Sequence, residues 1–271
     1  MAIDQTFTDE ASLVASFIES LNRSQRRQKN WTVYPETAGW DLVLVHSTGA
    51  QVGIEAKLSL NAKVVDQALS GQHQIFGSDG PDYRAVLVPA GKVQLHLDRI
   101  CAAIGIKILA HTPPQDGTFR YIDLPDPNSD YSYGHWPQWC PAQRLTLPDY
   151  IPDVAAGVAS PVQLTAWKVK AIKLMICLER RGFVDRSVMR AIDISPSRWT
   201  DRCHGFLATN GNGQYVSCKA TPDLRAQHPV NYAEIEADSA EWGKCLDPFK
   251  TNCPDWLLPD GRPLASAKGA P

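Results

Sequence analysis

No run of about 18 apolar residues occurs in this chain, so no segment of it reads as a membrane-spanning helix. Its seven cysteines contain no C-x-x-C pair, and their odd number does not suggest a disulfide framework. No signal peptide is recognisable at the N-terminus, so reduced thiols and a cytoplasmic location are expected. A zinc site assembled from Cys203, His204 and Cys218 would have the wrong spacing for the common arrangements. A large excess of one charge is also missing. The formal net charge is −2, which argues against indiscriminate binding to nucleic acid through the chain as a whole.

What is present is unevenly placed. Residues 161–220 carry 10 Lys and Arg against 4 Asp and Glu, while the remainder carries 17 against 25. The basic charge is local. Hydrophobic residues make up 44% of the 271, enough for one large domain or two small ones.

Residues 31–58, WTVYPETAGWDLVLVHSTGAQVGIEAKL, read as two β-strands joined by a short turn, with Asp41 opening the first and Glu55 and Lys57 closing the second. Strand side chains alternate between faces, so Glu55 and Lys57 point one way and Ile54, Ala56 and Leu58 the other. A three-residue loop at Ser47, Thr48 and Gly49, with Gly49 left-handed, pairs His46 with Ala50. That register carries Asp41 to a position opposite Glu55. Directly opposed Cβ atoms lie roughly 5 Å apart, and like charges there repel. A divalent cation between them is the simplest remedy. The bland alternative is an edge salt bridge between Glu55 and Lys57, with Asp41 merely starting a strand.

Asp41 followed by Glu55-Ala56-Lys57 at the end of an apolar strand resembles the D…ExK core of the PD-(D/E)xK, or restriction-endonuclease-like, nuclease superfamily. The resemblance covers roughly residues 8–110, and the usual proline before the aspartate is Trp40 here. It implies an α/β fold with a mixed central sheet and an α-β-β-β-α-β nuclease core. It also implies that Asp41, Glu55 and the carbonyl of Ala56 hold Mg2+ or Mn2+, with Lys57 orienting or activating water.

Other elements fit that order. Thr8 can cap a helix over residues 9–22 with apolar positions at Leu13, Val14, Phe17, Ile18 and Leu21. Glu10 falls within this stripe, so it either faces the hairpin or turns to water and complements the helix dipole. Residues 61–72 read as a short helix, and Gln67 matches by placement the glutamine that several families of the superfamily carry there. The tyrosine that usually accompanies it is missing, since position 71 is glycine. A strand at 84–89, a helix at 93–103 and a strand at 106–109 imply a crossover and a parallel pair. The expected order is α-β-β-β-α-β-α-β.

Residues 111–159 form a Pro- and aromatic-rich linker or extension after a domain at 1–110. Tyr131, Tyr133, Trp136 and Trp139 either pack the loop or stack on bases. With six acidic and two basic residues over 111–160, the packing role is favoured.

A second, mainly helical domain is expected at 160–220. Ser160, Pro161 and Gln163 make a capping-box start for a helix ending at Gly182. Asp185 can cap another through Ile192, and Ser195-Pro196 starts a third. Strands flank Asn210-Gly211-Asn212-Gly213, a strong hairpin signal. Three helices then a hairpin is the winged helix-turn-helix order, in which the third helix would present Ser197, Arg198, Thr200, Asp201 or Arg202 to a DNA groove, with Lys219 on phosphate. Residues 221–271 read as an acidic, Pro-rich C-terminal tail.

The function expected from these features is a metal-dependent endonuclease hydrolysing DNA phosphodiester bonds. Asp41, Glu55, Lys57, Glu10 and Gln67 form its catalytic set, and a restriction or other defence or mobile-element role is the natural setting. DNA is the expected partner, no membrane is involved, and a homodimer is suggested by analogy with restriction enzymes. Two alternatives stay open: an inactive DNA-binding regulator keeping the nuclease-like fold, and a winged helix serving protein contacts.

Overall fold

The computed structural model describes residues 7–25, 30–69, 79–113, 122–128, 136–153, 164–200 and 205–243. It divides into two units, Met1–Gln163 and Leu164–Pro271.

The first unit is an α/β domain built on one five-stranded sheet in the order β1-β2-β3-β4-β5. Its elements are α1 (Glu10–Ser24), β1 (Trp31–Thr37), β2 (Trp40–His46), β3 (Gln51–Ala56), α2 (Ala62–Leu69), β4 (Tyr83–Pro89), α3 (Leu95–Ala103) and β5 (Ile106–His111). The α-β-β-β-α-β-α-β order is the one expected. Strands β1 to β3 pair antiparallel, and β3, β4 and β5 pair parallel through the α2 and α3 crossovers.

Residues 31–58 hold three strands rather than two. Ala38 and Gly39 have φ of 53° and 85° and form a two-residue primed turn between β1 and β2. Alanine tolerates that conformation poorly, which is why the sequence signals this hairpin weakly. The second hairpin is as expected: His46 N–H donates to Ala50 O at 2.8 Å, and Gly49 has φ of 85°.

Each sheet face carries its own core. Leu13, Val14, Phe17 and Leu21 of α1 cover Leu42, Leu44, Val52, Ile54 and Leu87 on one face. Val64, Val65 and Ala68 of α2, with Cys101 of α3, cover Val43, Val86 and Val88 on the other. The near-continuous burial of β3 and β4 follows from that double cover. The cap of α1 is Asp9 rather than Thr8: Asp9 Oδ1 accepts from Ser12 N–H at 2.7 Å, while Ser12 Oγ accepts from Asp9 N–H.

The described part of the expected linker belongs to this unit. Trp136 is buried edge-on to Tyr83, Trp139 N–H donates to Asp82 O, and Leu145 and Leu147 join the α2–α3 core. Its aromatics pack against the domain rather than against one another.

The second unit comprises α4 (Ala166–Arg181), β6 (Val184–Asp185), α5 (Arg186–Ala191), α6 (Pro196–Thr200), β7 (Leu207–Thr209), β8 (Gln214–Ser217), α7 (Leu224–Gln227), α8 (Pro229–Ala237) and α9 (Ser239–Trp242). Its strands form an antiparallel sheet in the order β6-β8-β7. Thr165 caps α4 by accepting from Lys168 N–H at 3.2 Å, and the Ser160-Pro161-Gln163 start lies outside the described residues. Gly182 ends α4 at φ of 74°, and Asp185 caps α5. The described part of the expected tail, 222–243, is helical. Tyr232 and Ile235 of α8 are buried, and Arg225 ties this region to Glu179 of α4 at 2.8 Å. Among the described residues no helix is long and apolar enough to cross a membrane.

Candidate active site

The β2–β3 register pairs Leu42 with Ile54 and Val45 with Gln51, and its next step sets Asp41 opposite Glu55. Hydrogen-bonded pairs alternate along the hairpin from His46–Ala50, so continuation would give Ala56 N–H to the Trp40 carbonyl. The ladder stops before that point. Asp41 Oδ2 accepts from Ala56 N–H instead, at 2.7 Å, and the two strands part beside the carboxylates.

The same counting finds a residue the sequence motif does not include. β1 pairs Pro35 with Leu42 and Thr37 with Trp40, so Glu36 falls opposite Asp41. This count brings Glu36 near the Asp41–Glu55 row, although its φ of 45° departs from strand geometry, and its charge adds to the upward push on Glu55. The clue was the Ala38-Gly39 turn, whose register places Glu36 once the turn is recognised.

Electrostatics at this row are unfavourable as they stand. Burial first, then the Asp41 charge, pushes the Glu55 carboxyl up to about 8, with Lys57 partly offsetting both. Among the described residues no hydrogen-bond donor reaches Glu55, which is 5% exposed. Burial also raises Asp41, against the opposing Ala56 N–H and Lys57. Lys57 lies one residue beyond β3, where its Nζ donates to Glu10 Oε2 at 2.6 Å. Burial works against its charge, but the hydrogen bond and charge of Glu10, with Asp41 and Glu55, outweigh that and hold its pKa above the usual lysine value.

Glu10 therefore faces the hairpin side and engages Lys57. Gln67 sits on α2, over the face that carries the acidic row, and among the described residues its buried Oε1 has no hydrogen-bond partner.

The acidic row fits a small, hard cation. A buried carboxylate without a donor opposed by a half-buried one, each repelling the other, is what a divalent cation neutralises. Among the described residues no three His, Cys, Asp or Glu side chains converge on one ion position. An ion held by Asp41 and Glu55 would therefore complete its shell with the Ala56 carbonyl and water, an arrangement Mg2+ accepts.

A buried arginine lies on the same sheet face as Glu55. Arg84, paired with Gly53 in the β3–β4 register, lies 5.5 Å from the Trp40 ring and 4.7 Å from that of Trp139. Its Nη1 donates to Ala68 O at 2.7 Å, next to Gln67. A Cβ on Gly53 would stand 2.6 Å from Trp40 Cδ2, so glycine there lets the indole lie flat beside the acidic end.

In the second unit, α6 exposes Ser197 and Arg198, and the latter lies 5.6 Å from the Trp167 ring. Thr200 is half-buried, and its hydroxyl donates to Pro196 O. Trp199 is buried against Trp167 and Phe206, and Lys219 is exposed. Asp201, Arg202, Cys203 and His204 lie outside the described residues, as do Tyr131 and Tyr133. Trp136 is too buried to stack on a base.

No protein-family model, curated protein or solved structure matches the chain.

Proposed function

We propose that the first unit is a metal-dependent phosphodiester hydrolase of the PD-(D/E)xK type, acting on DNA. The observation that carries this reading is the opposition of Asp41 and Glu55 where β2 and β3 part, with Lys57 at the mouth. A bound Mg2+ or Mn2+ would supply positive charge against the scissile phosphate.

The protein groups have separable tasks. Asp41, anchored by Ala56 N–H, holds its side of the ion site in a fixed rotamer. Glu55 supplies the second carboxylate. Lys57, with Glu10 fixing its direction, presents an ammonium donor to a non-bridging phosphate oxygen or to the attacking water. Gln67 offers a buried amide oxygen on the same side of the sheet as Glu55.

DNA as the substrate rests on the second unit. Its α4-to-β8 stretch carries the basic excess, and its helices and hairpin follow the winged helix-turn-helix order, with Ser197 and Arg198 exposed on the third helix.

The test is a cleavage screen of the full chain on duplex, branched and single-stranded DNA and on RNA, with Mg2+ or Mn2+. Metal-dependent cutting of DNA that is lost in Lys57→Ala supports the proposal, and unchanged cutting by that variant would sink it. DNA binding without cutting, and without a carboxylate-dependent Mg2+ site by calorimetry, would favour the inactive regulator.

A further inference from the structure

Among the described residues, most cations of the second unit are already engaged. Lys170 pairs with Asp193, Lys173 lies over Trp242, Arg180 donates to Glu236 O, and Arg225 bridges Glu179 and Glu236. Arg186 and Arg190 differ. Both are exposed on α5, and among the described residues neither guanidinium has an acceptor or an aromatic partner.

The nearby carboxylates are committed elsewhere. Asp185 accepts from Ser187 N–H, Val188 N–H and Ser187 Oγ, and Asp193 is held by Lys170. Four residues apart, Arg186 and Arg190 share one helix face, where like charges cost stability rather than add to it.

Their placement gives the pair a direction. β6 runs directly into α5, and Asp185 pairs with Gln214 at the start of β8. Arg186 therefore adjoins the hairpin turn at 210–213. In that turn the side chains of Thr209 and Asn210 occupy the Gly211 and Asn212 N–H groups, while the exposed Asn212 amide makes no hydrogen bond among the described residues. Lys219, by contrast, lies past the far end of β8. Two unengaged cations of α5 therefore lie beside the hairpin tip, at the opposite end of β8 from Lys219.

We propose that Arg186 and Arg190 of α5, flanked by Asn212 at the hairpin tip, grip two phosphates, two steps apart, on one strand of duplex DNA. The inference rests on the reading that this unit binds DNA, and it names the groups on the DNA backbone which that reading left open. An i,i+4 pair advances about 6 Å along a helix, close to the rise of two phosphates along one strand, about 3.4 Å each.

The experiment measures affinity of the full-length protein for a short duplex of mixed sequence over a series of salt concentrations. It compares the wild type with Arg186→Gln/Arg190→Gln, Arg186→Lys/Arg190→Lys and Lys219→Gln. For the double glutamine variant, the slope of log affinity against log salt should fall by about two, at about 0.9 for each phosphate no longer neutralised. The double lysine variant should restore most of the slope, and Lys219→Gln should leave it unchanged. Melting temperatures equal to wild type establish that the exposed substitutions leave the fold intact.

If the wild type binds duplex DNA and the double glutamine variant keeps its slope, the assignment of these two arginines is overturned while the DNA reading survives. If the wild type does not bind duplex DNA, or binds duplex RNA more tightly, the DNA reading fails and the assignment falls with it.

Discussion

Lys57 Nζ and Glu10 Oε2 are 2.6 Å apart, joining the end of β3 to the first turn of α1 across 47 residues of chain. The two side chains are 24% and 34% exposed. A pair this accessible contributes about 0 to 1 kcal/mol to stability. Its consequence is directional, because Glu10 holds a flexible ammonium beside Asp41 and Glu55.

Lys57→Ala is expected to reduce single-turnover DNA cleavage by about 100-fold or more, the scale of removing a donor from a developing negative charge. Glu10→Gln should reduce it by a smaller factor, since the ammonium remains but is less well directed. Both variants should unfold in urea within about 1 kcal/mol of wild type. A larger loss of stability would make the pair structural rather than catalytic.

Glu55 makes the metal-free protein pH-sensitive. Its carboxyl is raised from an ordinary value of 4.5 to about 8, so between those pH values the folded state binds more protons than the unfolded state. Stability in chelator should therefore fall as pH rises from 5 to 8. Glu55→Gln should flatten that decline and leave the metal-free variant more stable than wild type at pH 8. Added Mg2+ should stabilise wild type and not the variant, as thermal melts with and without the ion would show.

Gly53→Ala tests the floor of the site. The new methyl would meet Trp40 at 2.6 Å and Pro81 at 2.8 Å, and two rigid rings cannot both withdraw. Overpacking of this kind costs about 1 to 3 kcal/mol. Displacement of Trp40 should carry Asp41 with it, so Mg2+ affinity by calorimetry should fall beyond what the stability loss explains.

The Trp136-to-Leu147 segment should prove integral to the first unit. A fragment ending at residue 110 lacks Trp136, Trp139 and Leu145 from the two cores and the Arg144–Asp82 ion pair at 2.8 Å. It is expected to show broad, weak thermal unfolding, whereas residues 1–163 should melt cooperatively. In the full chain, Trp139→Ala removes the ring over Arg84 and the hydrogen bond to Gly105 O, at a cost of about 3 kcal/mol.

Much of the scaffold was legible because it is locally encoded. The apolar period of α1, the continuous apolar run of β4, the Ser47-Thr48-Gly49 turn and the Asp185 cap each depend on residues a few positions apart. The turn alone sets the register that opposes Asp41 and Glu55, since strand pairing counts outward from it in fixed steps. Alternation along β3 did not fix the direction of Lys57, which lies one residue past the strand and reaches Glu10 of α1.

Tertiary packing decided the rest, because the deciding partners are distant in sequence. Helical periodicity put Glu10 on the inner side of α1, but only the crossing of α1 over the sheet gave it Lys57 rather than water. The Ala38-Gly39 turn lacks the usual Asn-Gly signature, so Glu36 came near the acidic row only once β1 was seen to pair with β2. Arg84 reads in sequence as the polar start of a strand. It becomes a stacked, buried cation because Trp40 and Trp139 close on it from the two ends of the unit. The sequence by itself thus determined which residues line the end of one hairpin, while the fold determined their charge environment, since burial and unlike neighbours come only from chain brought back from elsewhere.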